Sequence, residues 1–341
     1  MDLTTRYLGL DLRNPLVASA SPLSVSLDRV LALADSGVGA IVLYSLFEEE
    51  VNREELRDLA IVEAHEHAFG EAMSYFPSSA RPTAEPSSVL RYLRLIERAA
   101  SGIDVPLIAS LNGSTEGGWT RFARSMQDAG AAAIELNIYF VPGDPRTPGR
   151  LVEDRHVEIL REVKESVSIP VAVKLSPHFS SLGEMALRLD EAGADGLVLF
   201  NRFLHPDVDP ERMVVEPGVV LSRPEEARLP RSWIAILHGQ VRASLAATTG
   251  VERAEDVAAY LLAGADVVMT ASALLRHGVQ HAATLVQGLE DWLVRKELTS
   301  LDQVRGRLAV PADTDVTAYE RAGYVAALQR GRDTYSSLGI R

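Results

Sequence analysis

Four stretches of this chain repeat one design: ADSGVGAIV, QDAGAAAIEL, DEAGADGLVL and LLAGADVVM. In each, a helical pattern runs into Ser-Gly or Ala-Gly, and an apolar run begins within a few residues. Glycine just past a helix takes the left-handed backbone that closes so tight a turn. A chain that turns from helix to buried strand this abruptly, again and again, is building an array of βα units rather than a mixed two-domain fold.

Eight short apolar runs fit that scheme: Pro15–Ala20, Val38–Tyr44, Pro106–Asn112, Ala132–Ile138, Pro170–Leu175, Asp195–Phe200, Ala243–Ala247 and Asp266–Thr270. They are nearly continuous in apolar residues, as parallel strands buried on both faces must be. The expectation is an α/β fold, a (βα)8 TIM barrel in a single domain. The barrel spans about residues 14–296, and a helical tail over 297–341 holds one more helix near Tyr319–Gln329. That helix would pack on the outside of the barrel or on a second copy, which would make a homo-oligomer. Two insertions, Phe47–Glu85 after strand 2 and Asn201–Arg231 after strand 6, follow strand C-termini. That is the active-site face of such barrels, where long loops form lids or substrate walls.

The formal charge of −13 argues against nucleic acid as a main partner, since phosphate backbones attract basic surfaces. With no cysteine, the chain has no disulfide, thiolate metal site or cysteine nucleophile. No apolar run near the N-terminus is long enough for a signal peptide or membrane span, so the expected location is cytoplasmic, with no membrane partner.

The last two runs lead into Thr248-Thr249-Gly250 and Ala271-Ser272-Ala273. In TIM barrels the loops after strands 7 and 8 commonly hold a phosphate through backbone N–H groups and a helix N-terminus, and small residues allow the close approach.

Several segments, in order, resemble the dihydroorotate dehydrogenase family of FMN-dependent barrels, in its soluble class: Asn14–Ala20, Gly39-Ala40 with Ser45, Glu135-Leu136-Asn137 with Val141-Pro142-Gly143, Val173–Pro177, and the two phosphate loops. The segments LNIY, VKLSPHFS, LVLFNRF, WIAILHG and ALLRHG resemble a bacterial dihydroorotate dehydrogenase-like subgroup. The resemblance implies FMN as cofactor, a small-molecule substrate, CH–CH oxidoreduction and a link to pyrimidine biosynthesis. It places Ser19, Ala20 and Ser21 against the isoalloxazine ring, with Ser45 facing the ring from strand 2. Thr248, Thr249, Gly250, Ala271 and Ser272 would hold the phosphate, Asn137 would meet substrate and flavin, and Asn201 would meet substrate. Lys174 would face the flavin N1/C2=O edge, where a preorganised cation stabilises the charge that reduction creates.

Three departures bear on the reaction. The family's base, a cysteine or serine soon after the asparagine of strand 4, has no counterpart in the shorter loop Asn137-Ile-Tyr-Phe-Val-Pro-Gly143. Tyr139 there is a poor base at neutral pH, since an unperturbed tyrosine titrates near about 10. Tyr44 stands where the family has a lysine, and Ser74-Tyr75-Phe76-Pro77 replaces its asparagine-rich orotate motif. Tyr44, Tyr75 and Tyr139 are therefore candidate walls of a refitted substrate pocket.

His178 and His205 are the remaining candidates for a base, although each reads more readily as an exposed or hydrogen-bonded loop histidine; His238 is expected to pack within a helix Trp233–Val241. His65 and His67, two positions apart on a helical pattern, point to different sides, so no metal site is expected. Glu48–Glu50 reads as a solvated helix start. Three functions stay open: dihydroorotate oxidation, flavin-dependent redox chemistry on another small cyclic or unsaturated substrate, and a barrel without turnover that serves a structural or regulatory role.

Overall fold

The computed structural model describes residues 1–48, 87–113, 119–138, 140, 143–202, 206–216, 218–311 and 313–336. A short hairpin, β1 (Thr5–Tyr7) and β2 (Leu10–Leu12), comes first. Then follow β3 (Leu16–Ala18), α1 (Leu27–Asp35), β4 (Ala40–Phe47), α2 (Ser88–Ala100), β5 (Leu107–Gly113), α3 (Trp119–Asp128), β6 (Ala133–Ile138), α4 (Gly149–Ser166), β7 (Val171–Leu175), α5 (Leu182–Glu191) and β8 (Gly196–Leu199). A second hairpin, β9 (Asp207–Asp209) and β10 (Val214–Glu216), precedes α6 (Arg228–Leu237), β11 (Ser244–Ala247), α7 (Ala254–Ala263), β12 (Val267–Thr270), α8 (Ser272–His277), α9 (His281–Arg295) and α10 (Val316–Ser336).

Eight strands close a parallel barrel in the order β11-β12-β3-β4-β5-β6-β7-β8. The glycines of the four repeated segments do what their turns require. Gly37, Gly130, Gly193 and Gly264 take φ of 94°, 99°, 95° and 118°, in the left-handed region. Strand ends differ from the sequence expectation by a residue or two, except that β4 runs on to Phe47.

Alternation along the strands sorts the core into two layers. Val17, Val42, Ile108, Ala133, Ala172, Val198, Ala246, Val267 and Met269 point into the barrel, where they pack with Tyr7, Leu8 and Leu12 of the N-terminal hairpin. The hairpin thus plugs the barrel floor. Gly196 opens β8 because a Cβ there would lie 2.5 Å from a methyl of Leu8. The larger apolar layer lies between strands and helices, and includes Tyr92, Ile96, Leu160, Leu189 and Leu261.

One irregularity re-aims side chains at the mouth. Between Val42 and Ser45, β4 holds an extra residue against β5, a β-bulge. The bulge leaves backbone groups of Ser110 to be satisfied otherwise. Tyr92 does this: the Ser110 N–H donates to its hydroxyl at 2.9 Å, and the hydroxyl donates to the Ser110 carbonyl at 3.1 Å.

Three local expectations change. The helix placed at Trp233–Val241 begins at Arg228, because Pro230 sits in its first turn, where a missing N–H costs nothing. It ends at Leu237, so His238 lies just beyond it, with Nδ1 3.1 Å from the Gly264 carbonyl. Glu48, read as solvated, is buried. The terminal helix is longer than expected, and its described side chains are almost all exposed. Among the described residues, no helix is long and apolar enough to cross a membrane.

Candidate functional site

The C-terminal ends of the strands meet in a cavity of about 220 Å³. Its wall brings together Ser19, Ala20 and Ser21 after β3, Lys174 of β7, Asn201 after β8, Thr248–Gly250 after β11, and Ala271 and Ser272 after β12. A second cavity of about 630 Å³ adjoins it, sharing Phe200, Asn201, Arg202, Val220 and Thr249, and is lined further by His178.

The side after β11 and β12 is shaped by backbone. Thr249 and Gly250 have φ of 80° and 71°, both in the left-handed region. Tyr260 of α7 is buried beneath them, and its hydroxyl lies 3.0 Å from the Thr248 carbonyl and 2.7 Å from that of Thr249. The insertion after β8 closes the same corner. The Gly250 N–H donates to Ser222 Oγ at 3.3 Å, the Ser222 N–H donates to Ser272 Oγ at 3.0 Å, and Arg276 holds the Ser222 carbonyl while pairing with Glu252. Gly250 is small for a reason other than phosphate approach. A Cβ there would meet the Arg223 carbonyl at 2.8 Å and the Ala227 Cβ at 2.9 Å.

The opposite side is shaped by side chains. On the inward face of β6, Glu135 and Asn137 alternate with Leu136, and on β7 Lys174 stands level with Asn137. Lys174 Nζ lies 3.4 Å from Glu135 Oε1, with the two side chains only 8% and 1% exposed. Asn201 Nδ2 donates to Asn137 Oδ1 at 2.8 Å, which ties the end of β6 to the loop after β8. Ser45 shares a 2.8 Å hydrogen bond with Ser110 on the inward face, whereas Tyr44 packs edge-on against Tyr92 at 5.1 Å, on the helix side. His178 is exposed, and its N–H donates to Ser176 Oγ at 2.9 Å. Tyr75, Tyr139, His205, His65 and His67 lie outside the described residues. Among the described residues, no three of histidine, cysteine, aspartate and glutamate gather as a metal site.

Sequence reasoning passed over four residues. Glu135 shares the inward phase of Asn137, and that alternation was its signal. Tyr260 and Ser222 act on backbone groups far away in sequence, which no local pattern announces. His156 of α4 is buried edge-on to Phe179 at 5.1 Å, with Nδ1 2.7 Å from the Val152 carbonyl. Burial lowers its pKa, although carbonyls of Val152 and Ile138 oppose that shift.

Comparison with known proteins agrees with this architecture. The profile described as Dihydroorotate dehydrogenase matches residues 86–293. The NAD-dependent dihydropyrimidine dehydrogenase subunit PreA of Escherichia coli K12 is 25% identical over 323 residues, 89% of this chain and 76% of that protein. The dihydroorotate dehydrogenase B (NAD(+)) catalytic subunit of Thermoplasma acidophilum is 26% identical over 317 residues, 89% of this chain and 98% of the relative. That of Halalkalibacterium halodurans is 32% identical over 177 residues, 50% of this chain and 58% of the relative. With the family profile running from the segment before α2 into α9, and the barrel mouth built as described, the chain belongs to the dihydroorotate dehydrogenase family.

Proposed function

We propose that this chain is an FMN-dependent oxidoreductase that exchanges hydride with a small cyclic substrate, and that dihydroorotate is a poor one. The observation that carries the reading is the buried Lys174 in one cavity wall with the left-handed Thr249-Gly250 turn and Ser272. This donor set suits an anionic cofactor. Backbone N–H groups at a helix N-terminus donate to phosphate, small residues let it approach, and an interior cation suits a ring edge that gains negative charge. FMN, when bound there, supplies the hydride acceptor.

The protein's own groups divide the remaining work. Thr249 and Ser272 would hold the phosphate, with Gly250, whose N–H is given to Ser222, shaping the turn between them, and Tyr260 supporting that loop from below. Lys174 stabilises the charge of the reduced cofactor. The Asn137–Asn201 amide pair presents hydrogen-bonding groups to a planar substrate and fixes its orientation. Such paired amides suit the ring amides of a dihydropyrimidine, a class named in the E. coli relative.

Proton removal from the substrate separates dihydroorotate from other candidates. No cysteine or serine follows Asn137 before Gly143, and Tyr44 replaces a lysine while turning toward Tyr92. A lost general base costs about two to four orders of magnitude in rate. The test is anaerobic stopped-flow mixing of the oxidised holoprotein with dihydroorotate and with a panel of uncharged dihydropyrimidines. The expected result is slow or absent flavin bleaching with dihydroorotate and faster bleaching with a member of the panel. Complete reduction by dihydroorotate within seconds would overturn the substrate reading and make His178 the first base to replace.

A further inference from the structure

Glu135 is the most deeply buried carboxylate at the barrel mouth, and nothing in the reading above uses it. Its side chain is 1% exposed, Oε1 lies 3.4 Å from Lys174 Nζ, and Oε2 is buried without a hydrogen-bond partner among the described residues. A carboxylate kept for structure alone normally has its acceptors satisfied, because an unpaired buried polar atom costs stability. Here one oxygen is left over and the other makes a single long contact. Replacing such a pair with apolar side chains is often neutral or stabilising, so fold stability does not explain why it stands in the barrel interior.

The position of Glu135 suggests its use. It lies on the inward face of β6 one pleat below Asn137, pairs in register with Ala172, and so sits beneath Lys174 on the floor side of the cavity. Below it is the apolar plug, where burial drives the Tyr7 hydroxyl pKa well up and the neighbouring Glu135 and Asp266 charges push it further. A carboxylate in such a setting acts on the cation above it more strongly than an exposed one would, since less water screens the pair.

Resting on the FMN reading above, we propose that Glu135 is a positioning residue for Lys174 that both holds the ammonium at the cavity floor and offsets part of its charge. The pair thereby sets how strongly the protein favours reduced over oxidised cofactor. Lysine alone would bind the reduced form much more tightly; the glutamate moderates that preference, so the cofactor can pass its electrons on after accepting them.

The measurement is the reduction potential of bound FMN in wild type, E135Q and E135D. E135Q removes the negative charge while keeping the size. It should raise the preference for reduced over oxidised FMN at least tenfold, a positive shift of about 30 mV or more for the two-electron couple. E135D keeps the charge and should stay near wild type. A residue with a merely structural role would change melting temperature in both variants and leave the potential unmoved. An unchanged or lowered potential in E135Q, with FMN bound, overturns this inference alone. A wild-type chain that takes up no FMN overturns the cofactor reading and this inference with it. If E135Q does not fold, K174M is compared with K174M/E135Q, which carries no unpaired buried charge. The double variant should then have the higher potential and the higher melting temperature, and equal potentials overturn the inference.

Discussion

The two sides of the barrel mouth are built from different materials. The side after β11 and β12 presents backbone, with left-handed Thr249 and Gly250 propped by Tyr260 and cross-linked through Ser222, Ser272 and Arg276. The side from β6 to β8 is built of side chains: Lys174, Asn201 and His178 line the cavities, and Glu135 and Asn137 are buried behind Lys174 and Asn201. Backbone geometry tolerates many sequences as long as the turn is preserved. Side-chain chemistry changes with a single substitution. In the proposed reading the small-residue loops would serve the cofactor, and the substrate would meet the short loop after Asn137; Tyr44, which the resemblance sets in a lysine's place, turns to Tyr92 on the helix side instead.

That contrast predicts unequal responses to mutation. The largest is expected on the side-chain half. K174M removes a charge-assisted contact of about 1.5–3 kcal/mol, so FMN affinity, reduced-state preference or both should fall roughly ten- to a hundredfold. Fluorescence titration with FMN and a potential measurement check this. If neither changes, Lys174 does not face the flavin and the division of labour drawn here fails.

On the backbone half, G250V should act on the protein before it acts on the cofactor. A Cβ at φ 71° is strained and would strike the Arg223 carbonyl and Ala227. The expected loss is about 1–3 kcal/mol of stability, seen as a lower melting temperature of the cofactor-free protein. A variant that melts like wild type while losing FMN affinity would show that the side-chain space faces phosphate, not the β8 insertion.

The sequence carried most of the fold because the signals were local. Near-continuous apolar runs marked the barrel strands, and Gly37, Gly130, Gly193 and Gly264 marked where helices stop. The small residues of Thr248–Gly250 and Ala271–Ser272 were visible in one dimension, whereas Ser19–Ser21, Lys174 and Asn201, which share their cavity wall, came from the family resemblance. What stayed hidden depends on contacts between distant segments. Nothing near Tyr44 announces the β4 bulge that turns it toward Tyr92, and Tyr92 itself is 18 residues from the Ser110 backbone it satisfies. Helix α6 begins ahead of the sequence expectation because its apolar pattern reads from Trp233, whereas its first turn carries two arginines and Pro230. Glu135 was read only as part of a motif, although its phase already put a charge inside the barrel.

A milder test of the backbone half is Y260F. The hydroxyl serves the Thr248 and Thr249 carbonyls, and its loss leaves them unsupported in a buried place. The expected cost is about 1 kcal/mol, roughly a fivefold loss of FMN affinity with the spectrum of bound flavin unchanged. A shifted flavin spectrum would mean that the phosphate loop and the ring environment are coupled, and that the two halves of the mouth are not independent.

The smallest effect is a slope rather than a step, and it lies behind the side-chain half. His156 packs against Phe179, next to exposed His178, and touches the end of β6 through Ile138. Burial holds its pKa below the usual value near about 6.5, so the folded protein keeps the ring neutral where the unfolded chain would protonate it. The stability carried by the neutral ring is thus complete above the unfolded pKa and drains away as pH falls through it, because the unfolded state then binds the extra proton. H156F keeps an aromatic edge against Phe179 and cannot titrate. Its melting temperature should lie below that of wild type near neutral pH, for want of the bond to Val152, and the gap should narrow as pH is lowered from about 7.5 to about 5.5. Parallel loss of stability in both proteins would mean that His156 titrates alike folded and unfolded. The packing beneath the β6 end would then not be the dry environment that the burial of its ring implies.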